Sequence, residues 1–100
     1  MSKQLGFDQV METHFKKLEL YVPVVSRVHG ESHPEFYEVH KLYDAIKFKI
    51  KEVGSNKADL SKEFSDLRKV TNDYTIPSDV CESYEAVYNM LGEIDKAYHI

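Results

Sequence analysis

The stretch Val28-His29-Gly30-Glu31-Ser32-His33-Pro34-Glu35 divides the chain and decides how the rest is read. Gly30 tolerates a left-handed backbone, so it is expected to end the helix before it. Ser32 stands three residues before Glu35, the spacing of a capping box, and Pro34 suits the first turn of a new helix. The stretch is therefore expected to be a corner between two helices, with His29 on the last turn of the incoming one. His29 reads in two ways: as a polar residue of a capped corner, or as a metal or cofactor ligand.

On the N-terminal side of this corner, Phe7, Val10, Met11, Phe15, Leu18, Val22, Val25 and Val28 recur at helical spacing and predict a helix over about 7–28. Pro23 removes the hydrogen bond to the carbonyl of Glu19 and is expected to kink it. Two shorter helices, or an extended stretch over 20–25, are the alternatives; the continuing apolar spacing favours one kinked helix. On the C-terminal side, Phe36, Val39, Tyr43, Ile46, Ile50 and Val53 predict a helix over 34–53 that Gly54 stops. A third is predicted over about 57–72, capped by Ser55 or Asn56, with Leu60, Phe64, Leu67 and Val70 inside. A fourth is predicted from Pro77-Ser78-Asp79 to the end, with Val80, Tyr84, Val87, Leu91, Ile94 and Tyr98 inside. Short loops cannot return the chain to its starting end. Four such helices therefore predict an all-α, up-down-up-down four-helix bundle filling a single domain, residues 1–100.

A net charge of -4 and a pI near 5.7 argue against a nucleic-acid partner. Lys47, Lys49 and Lys51 alternate along a helix and make no basic face. No apolar run approaches membrane-spanning length, so no membrane partner is expected. Met1-Ser2-Lys3-Gln4 lacks the apolar core of a signal peptide. The single cysteine, Cys81, rules out an internal disulfide and fits a reducing compartment, so a cytoplasmic location is expected.

Motifs for catalysis are absent: there is no glycine-rich phosphate loop, no Cys-x-x-Cys and no His-Glu-x-x-His. An enzyme is not expected. Cys81 falls beside the inner stripe of the fourth helix and is expected to be a buried structural thiol. Of the histidines, His33 near the cap is expected to be exposed, His40 lies at a stripe edge, His14 sits beside Phe15 with its facing inward or outward left open, and His99 follows Tyr98. Spacing alone assembles no metal site from them. Tyr43, Tyr84 and Tyr98 fall on inner stripes and Tyr88 beside one, a packing role with hydroxyls at the bundle rim.

Two motifs carry a resemblance. Val28-His29-Gly30-x-x-His33-Pro34-Glu35 and Thr71-Asn72-Asp73-Tyr74-Thr75-x-Pro77-x-Asp79-x-Cys81-x-Ser83-Tyr84-x-x-x-Tyr88 together resemble the hemerythrin-like domain of the iron–sulfur cluster repair proteins, the RIC family. The second is the more specific, and the resemblance covers most of the chain from Phe15 onward. It implies a hemerythrin-like bundle with an oxo-bridged di-iron centre held by histidines and glutamates. It also implies repair of iron–sulfur clusters, and iron handling, under nitrosative or oxidative stress. Residue by residue, His29 matches a ligand in the Val-His-Gly motif. The first-helix histidine of the family falls near Asp8, and the histidine opening the third helix falls at Lys57. The family's His-x-x-x-Glu pair would lie at Val53-Gly54-Ser55-Asn56, where a segment is missing. The final His-x-x-x-Glu-Asn would follow the sequence's last residues, with His99 just ahead of the ligand position; the alternatives are a chain truncated at its C-terminus or shortened internally, and a diverged, metal-free member that keeps the bundle.

The resemblance thus implies a metal ligand at His29, with His99 and Asp8 as secondary candidates, in a degenerate site that holds iron or no metal. One reading is iron handling and cluster repair through His29. The other is a metal-free structural or protein-interaction module. Such a module is expected to form a homodimer, because missing helical turns would leave apolar surface uncovered. A metal shared between two chains, using His29 with His99 or Asp8 of a second copy, is a third.

Overall fold

The computed structural model describes residues 3–54 and 58–99, with residues 3–6 and 8 given by their backbone alone. Four helices follow one another: α1 (Lys3–His29), α2 (Glu35–Val53), α3 (Ser61–Val70) and α4 (Glu82–Tyr98). No strand occurs among the described residues.

Side-chain contacts show that neighbours run in opposite directions. Phe7 at the start of α1 meets Tyr98 at the end of α4, with ring centroids 5.3 Å apart. His29 at the end of α1 meets Tyr84 at the start of α4, at 5.6 Å. Glu19 in mid α1 pairs with Lys47 in the second half of α2 at 2.8 Å. Lys49 near the end of α2 pairs with Glu63 near the start of α3 at 2.9 Å. The order is up-down-up-down, as the short connections require.

The stripes read from the sequence make the core. Leu18, Val22 and Val25, then Phe36, Val39, Tyr43 and Ile46, then Phe64 and Leu67, then Tyr84, Val87, Leu91 and Ile94 are all buried. Each large side chain so buried contributes about 1.5–3 kcal/mol. Tyr88, expected beside the stripe, is buried as well. α1 runs unbroken through Pro23, which faces solvent. Water can take over the lost hydrogen bond on that side. Val28 and Val53, expected inside, are 63% and 52% exposed. Both stand in the last turn of their helices, at the end of the packed stripe.

The corner differs from its sequence reading. Gly54 has a φ of 87°, and among the described glycines it is the one with positive φ. Gly30 is needed for closeness instead: a Cβ there would overlap the Tyr37 ring and the Ser26 carbonyl. No capping box forms, because α2 starts behind Pro34 without a side-chain cap. Its first turn is tied by Phe36 N–H to the His33 carbonyl at 2.9 Å and Tyr37 N–H to the Pro34 carbonyl at 3.1 Å. The Glu35 carboxylate turns to His33 and Tyr84 rather than back to its own backbone.

α3 and α4 are shorter than predicted. α3 begins after Leu60, and the expected caps Ser55 and Asn56 lie outside the described residues, as does Lys57. α4 begins five residues after Pro77. Between them Asn72, Asp73 and Tyr74 all take left-handed φ values of 53°, 59° and 61°. For residues with a Cβ this costs about 1–2 kcal/mol apiece. Thr71 offsets it: its hydroxyl donates to the Leu67 carbonyl at 2.6 Å and accepts from Tyr74 N–H at 2.8 Å. Asp73 N–H donates to the Arg68 carbonyl at 2.7 Å, and the Thr75 hydroxyl to Asn72 at 2.6 Å.

Candidate functional site

The last turn of α1, the corner and the start of α4 converge at one end of the bundle. His29 Nε2 lies 3.1 Å from Cys81 Sγ. Cys81 is exposed, a correction to the buried thiol expected. The reason is the late start of α4: Cys81 is its N-cap, ahead of the stripe rather than beside it.

His33 corrects a second expectation. Its side chain is only 13% exposed, held between two carboxylates. Nδ1 is 3.1 Å from Glu35 Oε2, and Nε2 is 3.2 Å from Asp79 Oδ1. The second contact is ionic in range but lacks hydrogen-bond geometry, so Nε2 is buried without a hydrogen-bond partner. Glu35 Oε2 also accepts from the Tyr84 hydroxyl at 3.3 Å, which in turn shares a hydrogen bond with Tyr88 at 3.0 Å. Burial pushes both phenols above the usual range, and the Glu35 charge pushes the same way. Both therefore stay protonated and serve as hydrogen-bond donors. Tyr84 packs edge-on against His29 and His33.

At the opposite end, α4 carries Asp95 and His99. Asp95 is 4% exposed. It accepts from Arg68 of α3 at 3.0 and 3.2 Å and from the Tyr74 hydroxyl at 2.7 Å. His99 Nδ1 lies 2.7 Å from Asp95 Oδ1 and 2.9 Å from the Asp95 carbonyl. Burial, then the Asp95 carboxylate, raises the Tyr74 phenol. The left-handed run over 72–74 is what swings Tyr74 over Gly92 to reach Asp95. The sequence reading missed this cluster. Its signal was present: Asp95 follows the inner residue Ile94, and Arg68 follows the inner residue Leu67.

The structure thus separates the candidate ligands. Cys81 and His99 bracket the 17 residues of α4, a span of roughly 25 Å at 1.5 Å per residue. His29 and His99 are not brought together within one chain. The start of α1 lies at the His99 end, while the side chain of Asp8 lies outside the described residues. His40–Asp44 at 3.6 Å and His14–Glu93 at 3.3 Å are pairs at the bundle surface.

A di-iron centre needs several histidines and glutamates directed into the bundle. Among the described residues no three of His, Cys, Asp and Glu are placed to hold a metal ion. The interior beside His29 is filled by Phe36, Tyr84 and Tyr88. These residues do not fit a resident di-iron group. What the corner does offer is one nitrogen and one sulfur donor, side by side near solvent. Among the described residues no helix is long and apolar enough to cross a membrane.

No family model matches the chain, and no solved structure matches it significantly. Curated proteins do. The iron-sulfur cluster repair protein ScdA of Staphylococcus haemolyticus (strain JCSC1435) is 24% identical over 96% of this chain and 57% of its own length. ScdA of Staphylococcus epidermidis (strain RP62A) is 20% identical over the same shares. The chain therefore spans little more than half the length of these relatives. The matched stretch runs over 127 positions against a chain of 100 residues, so the relatives carry segments that this chain lacks. At this level of identity the chain is a distant homologue of the iron–sulfur cluster repair proteins called ScdA.

Proposed function

We propose that this chain serves iron–sulfur cluster repair and the iron handling behind it, under nitrosative or oxidative stress in the cytoplasm. The proposal places that work at the His29 end of the bundle. The observation that carries it is the homology to ScdA along 96% of the chain. The chemistry of the corner supports it. His29 Nε2 and Cys81 Sγ, 3.1 Å apart and near solvent, suit passing contact with iron better than a sealed centre.

The test is recovery of an oxidatively damaged iron–sulfur enzyme, given ferrous iron and thiol, with and without anaerobically purified protein. Iron content is measured in parallel. Faster recovery with the protein, lost in His29→Ala, is expected. Recovery no faster than with iron and thiol alone, from protein that stays iron-free after reconstitution, sinks the proposal. Two irons per chain would mean that ligands beyond the described residues complete a centre.

A second reading is a metal-free structural or interaction module. It is favoured by the aromatic filling of the bundle where metal donors would have to point. Its signature is a folded chain that binds no iron and repairs nothing.

A further inference from the structure

We infer that the cleft between the start of α2, the end of α3 and α4 is a binding site for a small primary amine in its ammonium form. The cleft measures about 300 Å³, at the small end of the range for ligand pockets. Val70, Pro77 and the Tyr88 side chain wall it, and Glu35 is the one charged residue that lines it. The turn after α3 forms its rim and is held from within. Thr75 N–H donates to the Thr71 carbonyl at 3.1 Å, and the hydroxyls of Thr71 and Thr75 are spent on the carbonyls of Leu67 and Asn72. The cleft is therefore formed before anything binds in it.

The hydrogen-bonding capacity left over decides what the cleft takes. A carboxylate only accepts, so the proton between Glu35 and Tyr84 comes from Tyr84. With its one proton so used, Tyr84 can only accept from Tyr88. Tyr88 therefore spends its proton on Tyr84 and keeps an acceptor lone pair. Glu35 keeps acceptor capacity too. Its Oε2 takes the Tyr84 and His33 contacts, and its Oε1 makes no hydrogen bond among the described residues. The side chain is 35% exposed, so that oxygen is within reach of an incoming molecule. An occupant must bring donors, and a charged donor binds a carboxylate more strongly than a neutral one. An ammonium has three donors and no acceptor to leave unmatched. An anionic occupant would meet the Glu35 charge with no lysine or arginine lining the cleft. The apolar walls suit a short hydrocarbon stem behind the ammonium. With one charge-assisted hydrogen bond and an open mouth, the dissociation constant is expected to be on the order of 1 mM.

The test follows backbone amide NMR shifts of the isotope-labelled full chain as n-butylammonium chloride is added, to about 50 mM at constant ionic strength. Saturable shifts confined to Glu35, Tyr88 and the stretch Val70–Thr75 are expected. Sodium butyrate, with a similar stem and the opposite charge, should give none. Glu35→Gln should weaken binding about tenfold through loss of the charged acceptor. Tyr88→Phe keeps the ring, removes the hydroxyl acceptor and should weaken binding several-fold. Both variants should keep the parent's helical circular dichroism. Glu82→Gln removes the same charge from an exposed position off the cleft and should change nothing. Shifts that never saturate overturn the inference, as does butyrate binding as tightly, or a Glu35→Gln protein that binds like the parent. If Glu82→Gln weakens binding as much as Glu35→Gln, the attraction is diffuse and the cleft is no site. Should Glu35→Gln lose helix, Tyr88→Phe decides, and binding as tight as the parent's then overturns the inference. None of these readouts involves iron or His29, so the repair reading stands or falls separately.

Discussion

The two ends of the bundle use similar residues to opposite effect. At the far end of α4, one buried carboxylate gathers a guanidinium, a phenol and an imidazole, all within 3.2 Å. Asp95 joins α3, the strained 72–74 turn and α4 into one joint. At the corner end no single group gathers the others: His29 meets Cys81 alone, and His33, Glu35, Tyr84 and Tyr88 follow one another in an open chain. There Cys81 opens to solvent and one histidine nitrogen has no hydrogen bond. A network that closes on itself spends its chemistry on holding the fold. An open chain beside an isolated histidine–thiol pair leaves a sulfur and a ring nitrogen free. This contrast is why the proposed function is placed at the corner and a structural role at the Asp95 joint.

Alkaline pH should give the largest effect, because phenols are buried at both ends. Tyr43, Tyr74, Tyr84 and Tyr88 are all raised above the ordinary tyrosine value, chiefly by burial. Above about pH 10 the unfolded chain releases those protons while the folded chain keeps them. The folded state then binds more protons, so stability falls as pH rises, with no contribution from these groups below that point. Tyrosinate absorbance from the four should appear together with loss of helix. Smooth ionisation of all of them in still-helical protein would contradict their burial.

Asp95→Ala comes next. It strips Tyr74 of its acceptor and Arg68 of its partner, and should cost about 2–3 kcal/mol in urea denaturation. The figure is kept low because Arg68 is 39% exposed and can turn to water. Gly30→Ala should cost about 1–2 kcal/mol through the clash with Tyr37 and the Ser26 carbonyl. Adding Tyr37→Ala should recover part of that.

His29→Ala should be smallest, about 0.5 kcal/mol or less, because its contact is to an exposed thiol. If it destabilises as much as Asp95→Ala, the contrast between the ends collapses. Cys81 should also react with iodoacetamide almost as fast in folded as in denatured protein.

Much of this was legible in the chain. The stripes of α2 and α4 became core almost residue for residue, and the corner fell where Gly30 and Pro34 placed it. The misreadings have a common origin. Cys81 was placed by counting along a helix that begins five residues later than expected, so the count put an exposed residue beside the core. His33 was judged by its nearness to a turn, yet Asp79, distant in sequence, closes over it. Gly30 was read for its backbone freedom, whereas its role is to admit the Tyr37 ring.

The sequence by itself determined the helices, their number, their inner faces and their alternating direction. Those follow from 3.6-residue periodicity and from short loops, both local properties. Tertiary structure alone decided which polar groups meet. His29 with Cys81 is a contact across 52 residues, and Arg68 with Asp95 one across 27. No local rule reaches that far, because such pairings depend on how helices are rotated and offset once their apolar faces have packed.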